Sequence, residues 1–341
     1  MFFSFSASHR SKLRQAVFIL PALVAVFFLS FGEAVLAADL PKIRVGALKF
    51  GTVNWELNVI KHLKLAEKEG VDLEIVPLAS KNAAAVALQG DAVDVIVTDW
   101  FWVSRQRSSG RNYVFAPYSI IAGGLMVRDD SGIKGIEDLT GKEIGIAGGP
   151  VDKSWLLLRA YSLNTRGEDL ADIAEPIYGA PPLLNKLIEK NEFPAVLTFW
   201  HYQARLKAKG LKQVIAIDDV LRELGVETEV PIIGWVFRED WAMKNRATID
   251  GFLKASMAAN KVLDTSDEEW VRLRSLIRPG DEETLIALRD GYRAGIPGAF
   301  GKAEVSSAES LYSLLGKLGG RDLVGDSATM APGTFWTGSI N

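Results

Sequence analysis

The sequence contains no cysteine. That absence excludes a disulfide scaffold, thiol catalysis, cysteine-ligated zinc and iron–sulfur clusters. Histidine is almost as scarce, at three in 341 residues, and only His62 and His201 lie beyond the N-terminal segment. With no His-Glu-x-x-His pair, a zinc site has too few ligands. No Gly-x-Ser-x-Gly elbow positions a nucleophile, and no P-loop is present. Gly145-Ile146-Ala147-Gly148-Gly149 comes nearest to a dinucleotide fingerprint and fails it. An excess of positive charge is also missing. Lys and Arg total 39 against 42 Asp and Glu, a net charge of −3, which argues against nucleic-acid binding. What remains is 48% hydrophobic and 24% charged, an ordinary globular composition. The length suits two domains of ~100–200 residues.

Long apolar runs are confined to the start of the chain. Arg10, Lys12 and Arg14 precede an apolar stretch from Ala16 to Phe31, broken only by Pro21 and Ser30. Ala34-Val35-Leu36-Ala37-Ala38 follows. This basic, apolar, small-residue order predicts a secretory signal peptide over residues 1–37, cleaved after Ala37. A membrane anchor would want ~20 clean apolar residues. The cleavage region offers no cysteine for lipid attachment, so the expected location is a Gram-negative periplasm, free of the membrane.

Beyond that segment, strands alternate with helices at the spacing of a mostly parallel sheet. Ile43–Leu48, Leu73–Leu78 and Asp94–Thr98 read as strands. A helix is expected from about Trp55 to Glu69, and Ser80 is placed to cap the helix that carries Ala83 to Leu88. The pattern then recurs. Lys142–Ala147 is a strand, a helix starts near Ser154-Trp155, and Ala195–Thr198 is another strand. Gly46 precedes Trp55 much as Gly145 precedes Trp155. Ile96-Val97-Thr98-Asp99-Trp100-Phe101 likewise parallels Val196-Leu197-Thr198-Phe199-Trp200-His201. Two similar α/β lobes that present the same loops at strand carboxyl ends predict a binding cleft between them.

Three segments carry a resemblance to a known family. They are Ile43-Arg44-Val45-Gly46, Ala87-Leu88-Gln89-Gly90-Asp91-Ala92-Val93-Asp94 and Gly135-Ile136-Glu137-Asp138-Leu139-Thr140-Gly141-Lys142. With them the sequence resembles the periplasmic solute-binding proteins of ABC importers, of the nitrate/sulfonate/taurine type. The resemblance implies an α/β, type II periplasmic-binding-protein fold, with two lobes joined by two crossing strands. The first lobe would begin at 38–123, the second span 124–232, and 233–341 return to the first. The outward crossing is expected near Ile121–Val127, where Gly123-Gly124 tolerates flexing, and the return near Ile232–Phe237. The C-terminal helices, from about Arg246 to Leu318, would pack back on the first lobe. The implied partners are a small-molecule ligand and an inner-membrane ABC permease with its cytoplasmic ATPase. The protein is expected to be a monomer, with no cofactor.

The residues that would bind the ligand lie in four segments at strand ends. Lys49, Thr52, Asn54 and Trp55 follow the first strand, where a helix start holds an anion or simply caps itself. Gly149, Asp152, Lys153, Ser154 and Trp155 are their counterparts, with more polar groups than a turn requires. Thr98, Asp99 and Trp100 end the third strand, and Thr198, Trp200 and His201 end its counterpart in the second half. A single tryptophan is usually core. So many aromatics at strand ends nevertheless point to Trp100 and Trp200 as walls for a flat or methylated group. Asp99 with Lys49 or Lys153 brings both signs of charge, which leaves the ligand's charge open. The resemblance implies a sulfonate, nitrate, a pyrimidine or an aromatic acid as solute, and nine tryptophans suit an organic one of these better than nitrate.

Relatives of this fold that synthesise the thiamin pyrimidine share a cysteine-rich motif, which is absent here; catalysis is not expected. Two alternatives stay open. One is a carrier of a metal ion or chelate, weighed against the isolated pairs Asp129-Asp130 and Asp218-Asp219. The other is a ligand-sensing receptor without transport.

Overall fold

In β1 (Lys42–Leu48), Ile43, Val45 and Ala47 are buried, and Arg44 between them pairs with Asp94 at 2.6 Å. That alternation recurs along the chain in a computed structural model that describes residues 1–3, 39–226 and 228–338. Most of the segment read as a signal peptide therefore lies outside the described residues. The chain divides into two units, Met1–Leu40 and Pro41–Asn341, and both sheets belong to the second. Among the described residues, no helix is long and apolar enough to cross a membrane.

The elements that matter below follow in chain order. After β1 come α1 (Val53–His62), β2 (Asp72–Leu78), α2 (Lys81–Gln89), β3 (Val95–Thr98), α3 (Trp100–Ser108) and β4 (Tyr113–Ser119). Next are β5 (Gly123–Val127), β6 (Glu143–Ala147), α4 (Lys153–Arg166), β7 (Glu175–Gly179), α5 (Pro181–Glu189) and β8 (Ala195–Phe199). The last group is α6 (Trp200–Ala208), β9 (Lys212–Ala216), β10 (Ile233–Arg238), α7 (Arg246–Thr265), α8 (Glu282–Ala294) and α9 (Lys302–Val324).

Two five-stranded sheets result, ordered β2-β1-β3-β10-β4 and β7-β6-β8-β5-β9. In each, the first three strands are parallel and the last two pairings are antiparallel. β1 and β6 hold equivalent places, as do β3 and β8, so the short internal similarities mark two copies of one topology. Ser80 caps α2 as its sequence suggests, accepting from the Ala83 amide at 3.1 Å.

Four local readings need correction. The helix expected over 55–69 stops at His62, because Lys64 turns left-handed (φ 53°) and a separate one-turn helix, Leu65–Lys68, docks Ala66 against the core. The crossings expected at Ile121–Val127 and Ile232–Phe237 fall mostly just before those strands. β5 lies wholly in the second sheet and β10 wholly in the first, with 120–122 and 224–232 as the connections. Gly123 serves close packing rather than flexing, since a Cβ there would sit 1.7 Å from the Thr198 carbonyl oxygen. Finally, the C-terminal helices do not all return to the first sheet. α7 packs on α1 and β1, but α8 lies along α6, and α9 packs on both α3 and α4. Leu311 and Leu315 of α9 share one apolar cluster with Trp155 and Leu156 of α4, whose burial draws that helix across.

Candidate functional site

The carboxyl ends of the parallel strands in both sheets face one cavity of about 310 Å³. The first sheet contributes Gly46–Leu48 and Phe50–Val53, Lys81 of α2, and Val97, Thr98 and Asp99. Asp152, Lys153 and Ser154 at the start of α4, Pro181 of α5, and Phe199 to Tyr202 come from the second. Ile121, Ala122 and Gly123 of the outward crossing and Ile232 and Ile233 of the return complete the lining. Such sites concentrate at strand ends because the loops there are free of ladder bonding and helix amides point outward.

Of the residues singled out from sequence, Thr52, Thr98, Asp99, Asp152, Lys153, Ser154, Trp200 and His201 line this cavity. The others do not. Lys49 is exposed and outside it, and Asn54 is occupied locally, its amide donating to the Leu48 carbonyl (2.8 Å) and the Gly51 carbonyl (3.1 Å). Trp55 is 5% exposed and packs edge-on against Trp200 and Trp270 in the core. Trp155 is fully buried under α9, and Thr198 is buried with its hydroxyl 3.5 Å from Asn185 Oδ1. Gly149 lies in the turn before α4, its carbonyl accepting from the Asp152 amide.

Of the expected Trp100–Trp200 pair, only Trp200 lines the cavity. Trp100 is 1% exposed, stacks on Phe101 at 4.1 Å and donates from Nε1 to the Pro231 carbonyl at 2.8 Å. A ring this buried, with its polar edge already satisfied, presents no face to the cavity. Trp200 is different. One side faces the cavity, and the other lies so close to α8 that a Cβ on Gly291 would stand 3.0 Å from its ring. Phe50, Phe199, Tyr202 and Ile233 supply the apolar walls that sequence reasoning missed or passed over. Their signal was an aromatic or branched residue beside a strand end, which is equally the signal of core. Lys81 is also in the lining, with its ammonium 5.9 Å from the Phe199 ring.

Electrostatically the cavity holds two cations and two carboxylates. Lys153 Nζ donates to Asp99 Oδ2 at 2.8 Å, joining the start of α4 behind the second sheet to the end of β3 in the first. Asp99 Oδ1 also accepts from the Trp102 amide, capping α3. Burial pushes the Asp99 pKa up, but the charge and hydrogen bond of Lys153, the charge of Lys81 and the Trp102 amide outweigh it, leaving it below the ordinary value. For Asp152 the balance reverses: burial dominates over Lys153, Lys81 and two backbone amides, and its pKa is raised. His201 is pushed down to about 3, by burial first and then by the charge of Arg205. It is therefore a neutral imidazole at physiological pH, and its Nδ1 is buried with no hydrogen-bond partner.

Behind Trp200 lies a second polar group. Glu56 is fully buried on α1 and accepts from Ser256 Oγ at 2.6 Å, with Tyr292 Oη 3.1 Å from its other oxygen. Burial raises its pKa to about 8, against the hydrogen bonds of Ser256, Tyr292 and Tyr118. A pocket of about 10 Å³ is lined by Thr52, Tyr118, Trp200, Asn260 and Tyr292 among others, the last of which donates to Glu56.

Two α/β lobes of matching topology around a shared cavity define the type II periplasmic-binding-protein class. Within it, the chain belongs to the NMT1/THI5-like family, whose model matches residues 66–265. No curated protein matches the sequence. Among solved structures, the periplasmic aliphatic sulphonate binding protein SsuA from Escherichia coli superposes with a TM-score of 0.69 at 17% identity, covering 88% of this chain and 99% of that one. The alkanesulfonate-binding protein SsuA from Xanthomonas axonopodis pv. citri, bound to MOPS, gives 0.65 at 14% identity over 88% and 99%. The desulfurization enzyme DszB also shares the fold, with 0.57 at 12% identity over 82% and 92%. At these identities the likeness is one of fold.

Proposed function

We propose that this protein is the periplasmic binding subunit of an ABC importer, capturing a small organic solute between its lobes and delivering it to a membrane permease. The observation that carries the reading is the cavity. Strand ends and helix starts from both sheets converge on it, apolar walls alternate with a few polar groups, and one ion pair closes it from lobe to lobe. The lobes would be 38–123 with 233–341, and 124–232, moving about 120–122 and 224–232. Ligand binding would favour the closed form, and the closed form would dock. The N-terminal segment would be a signal peptide, removed on export to leave a free monomer.

Two of the structural neighbours are named for sulfonate binding, one of them bound to MOPS. A sulfonate-like, pyrimidine-like or aromatic-acid solute fits the same walls. The fold is shared with an enzyme, so fold alone does not exclude catalysis. Binding is favoured by the site itself. Asp99 is neutralised by Lys153, and His201 has too little proton affinity to act as a base near pH 7.

A thermal-shift screen of the refolded mature protein tests the reading, with sulfonates, pyrimidines, aromatic acids, amines, inorganic anions and metal ions. A true ligand at ~100 times its dissociation constant adds ~2.7 kcal/mol of stability. One organic class should shift the melting curve, and Trp200→Ala should abolish that shift while retaining the fold. Trp100→Ala should instead destabilise by ~3–5 kcal/mol. A response to metal ions alone would replace this reading with the metal-carrier alternative.

A further inference from the structure

Trp100 follows β3 as Trp200 follows β8, but its polar edge is spent on the return connection and not on the cavity. In its described part, 228–232, that connection is held at several points. Thr228 Oγ1 donates to Ser307 Oγ of α9 at 2.8 Å, and Val230 shares an apolar cluster with Leu311 of the same helix. The Pro231 carbonyl accepts from Trp100 Nε1 at 2.8 Å, and the Ile232 amide donates to the Ser119 carbonyl of β4 at 2.8 Å. Pro231 fixes its own φ as well. The last two bonds both run to the first lobe, so the connection is bound to that lobe up to the start of β10.

Trp100 is a stiff donor. It is 1% exposed, stacks on Phe101 at 4.1 Å, and is flanked by Tyr312 of α9 at 6.2 Å and Phe335 at 5.8 Å. The residue before it, Asp99, takes the Lys153 ammonium of the second lobe at 2.8 Å. Two consecutive residues at the start of α3 therefore hold the second lobe and the chain that leads back from it. A rotation that parts Lys153 from Asp99 has to be absorbed by φ and ψ changes in the connections. With 228, 231 and 232 each tied, few torsions of the return connection are free to supply it.

We propose that Trp100 is a positioning residue for solute capture, its indole N–H holding the return connection at Pro231 in the arrangement that keeps the lobes together. This rests on the two-lobe capture reading above and adds the group that sets its resting position. A packing role needs only the ring, whereas a positioning role needs the N–H. Phenylalanine keeps an aromatic ring in the cluster and leaves the Pro231 carbonyl without its donor. A buried carbonyl left unpaired is stabilised by reaching water, which this one does only if the connection moves away from α3.

The test is the distance between lobes, measured by pulsed electron paramagnetic resonance with no solute added. The sequence has no cysteine, so two introduced cysteines carry the spin labels alone. Lys68→Cys and Asp172→Cys serve, because both positions are exposed and precede β2 and β7, the strands farthest from the connections in each sheet. In the otherwise unaltered protein one distance should dominate. Trp100→Phe should add a longer one, raising the long-to-short population ratio on the order of tenfold. Trp270→Phe is the matched control, since Trp270 is also 1% exposed and donates from Nε1 to the Leu263 carbonyl at 2.8 Å, away from the connections. It should lower the melting temperature comparably and leave the distance as it was. An unchanged distribution in Trp100→Phe, or the same new population in Trp270→Phe, overturns the inference while leaving solute capture standing. Solute capture itself falls only if the whole thermal-shift panel is silent.

Discussion

At the scale of single residues, charge and burial decide role. Glu56 and Asp152 are both carboxylates raised by burial, but one sits in a closed network and the other borders the cavity. For Glu56 the folded value is about 8 against an ordinary 4.5. Between those values the folded protein holds a proton that the unfolded chain has released. Stability from this group is complete below the lower value and falls as pH rises through the window, by ~1.4 kcal/mol per pH unit. Glu56→Gln should remove that slope, measured by chemical denaturation at several pH values between 5 and 8. A slope that survives the substitution would place the titrating group elsewhere.

At the scale of elements, the contact between α8 and α6 holds one wall of the site. Trp200 opens α6, faces the cavity, and lies where a Cβ at Gly291 would stand 3.0 Å from its ring. Arg205, one turn further on, donates to the carbonyls of Ile277 and Arg278 and holds the same helix against the C-terminal layer. Gly291→Leu should therefore cost ~1–3 kcal/mol through overpacking and displace Trp200. Its expected signature is a lowered melting temperature together with altered tryptophan fluorescence. Normal values for both would mean that the helices separate without cost. The internal similarity read from short segments proved to be a similarity of elements: β1 with β6 and β3 with β8 are equivalent strands of two sheets. That much was legible because strand periodicity and glycine placement are local.

At the scale of the molecule, the Lys153–Asp99 pair ties one sheet's strand end to a helix behind the other. Removing Lys153 alone would leave Asp99 enclosed without its partner, at a cost of ~3–5 kcal/mol. Lys153→Met should thus loosen the contact between lobes, raising the radius of gyration in small-angle scattering. The double variant with Asp99→Asn should recover most of the lost stability. An unchanged radius in the single variant would show that the lobes are held by other contacts, such as α9 against both α3 and α4.

The sequence by itself determined the α/β alternation, the absence of a thiol or histidine-rich centre, the doubled topology and the loops that meet at the cleft. Those are set by periodicity, composition and helix-start chemistry, which act within a few residues. Only the tertiary structure decided which aromatic of each similar pair is wall and which is core. Trp100 and Trp200 follow equivalent strands, but Trp100 is covered by Phe101, Tyr312 and Phe335, whereas Trp200 keeps a face toward the cavity. Phe335 comes from more than two hundred residues away, so no local pattern could mark the difference. The same holds for the charges: that Lys153 is spent on Asp99 follows from how two sheets are brought together.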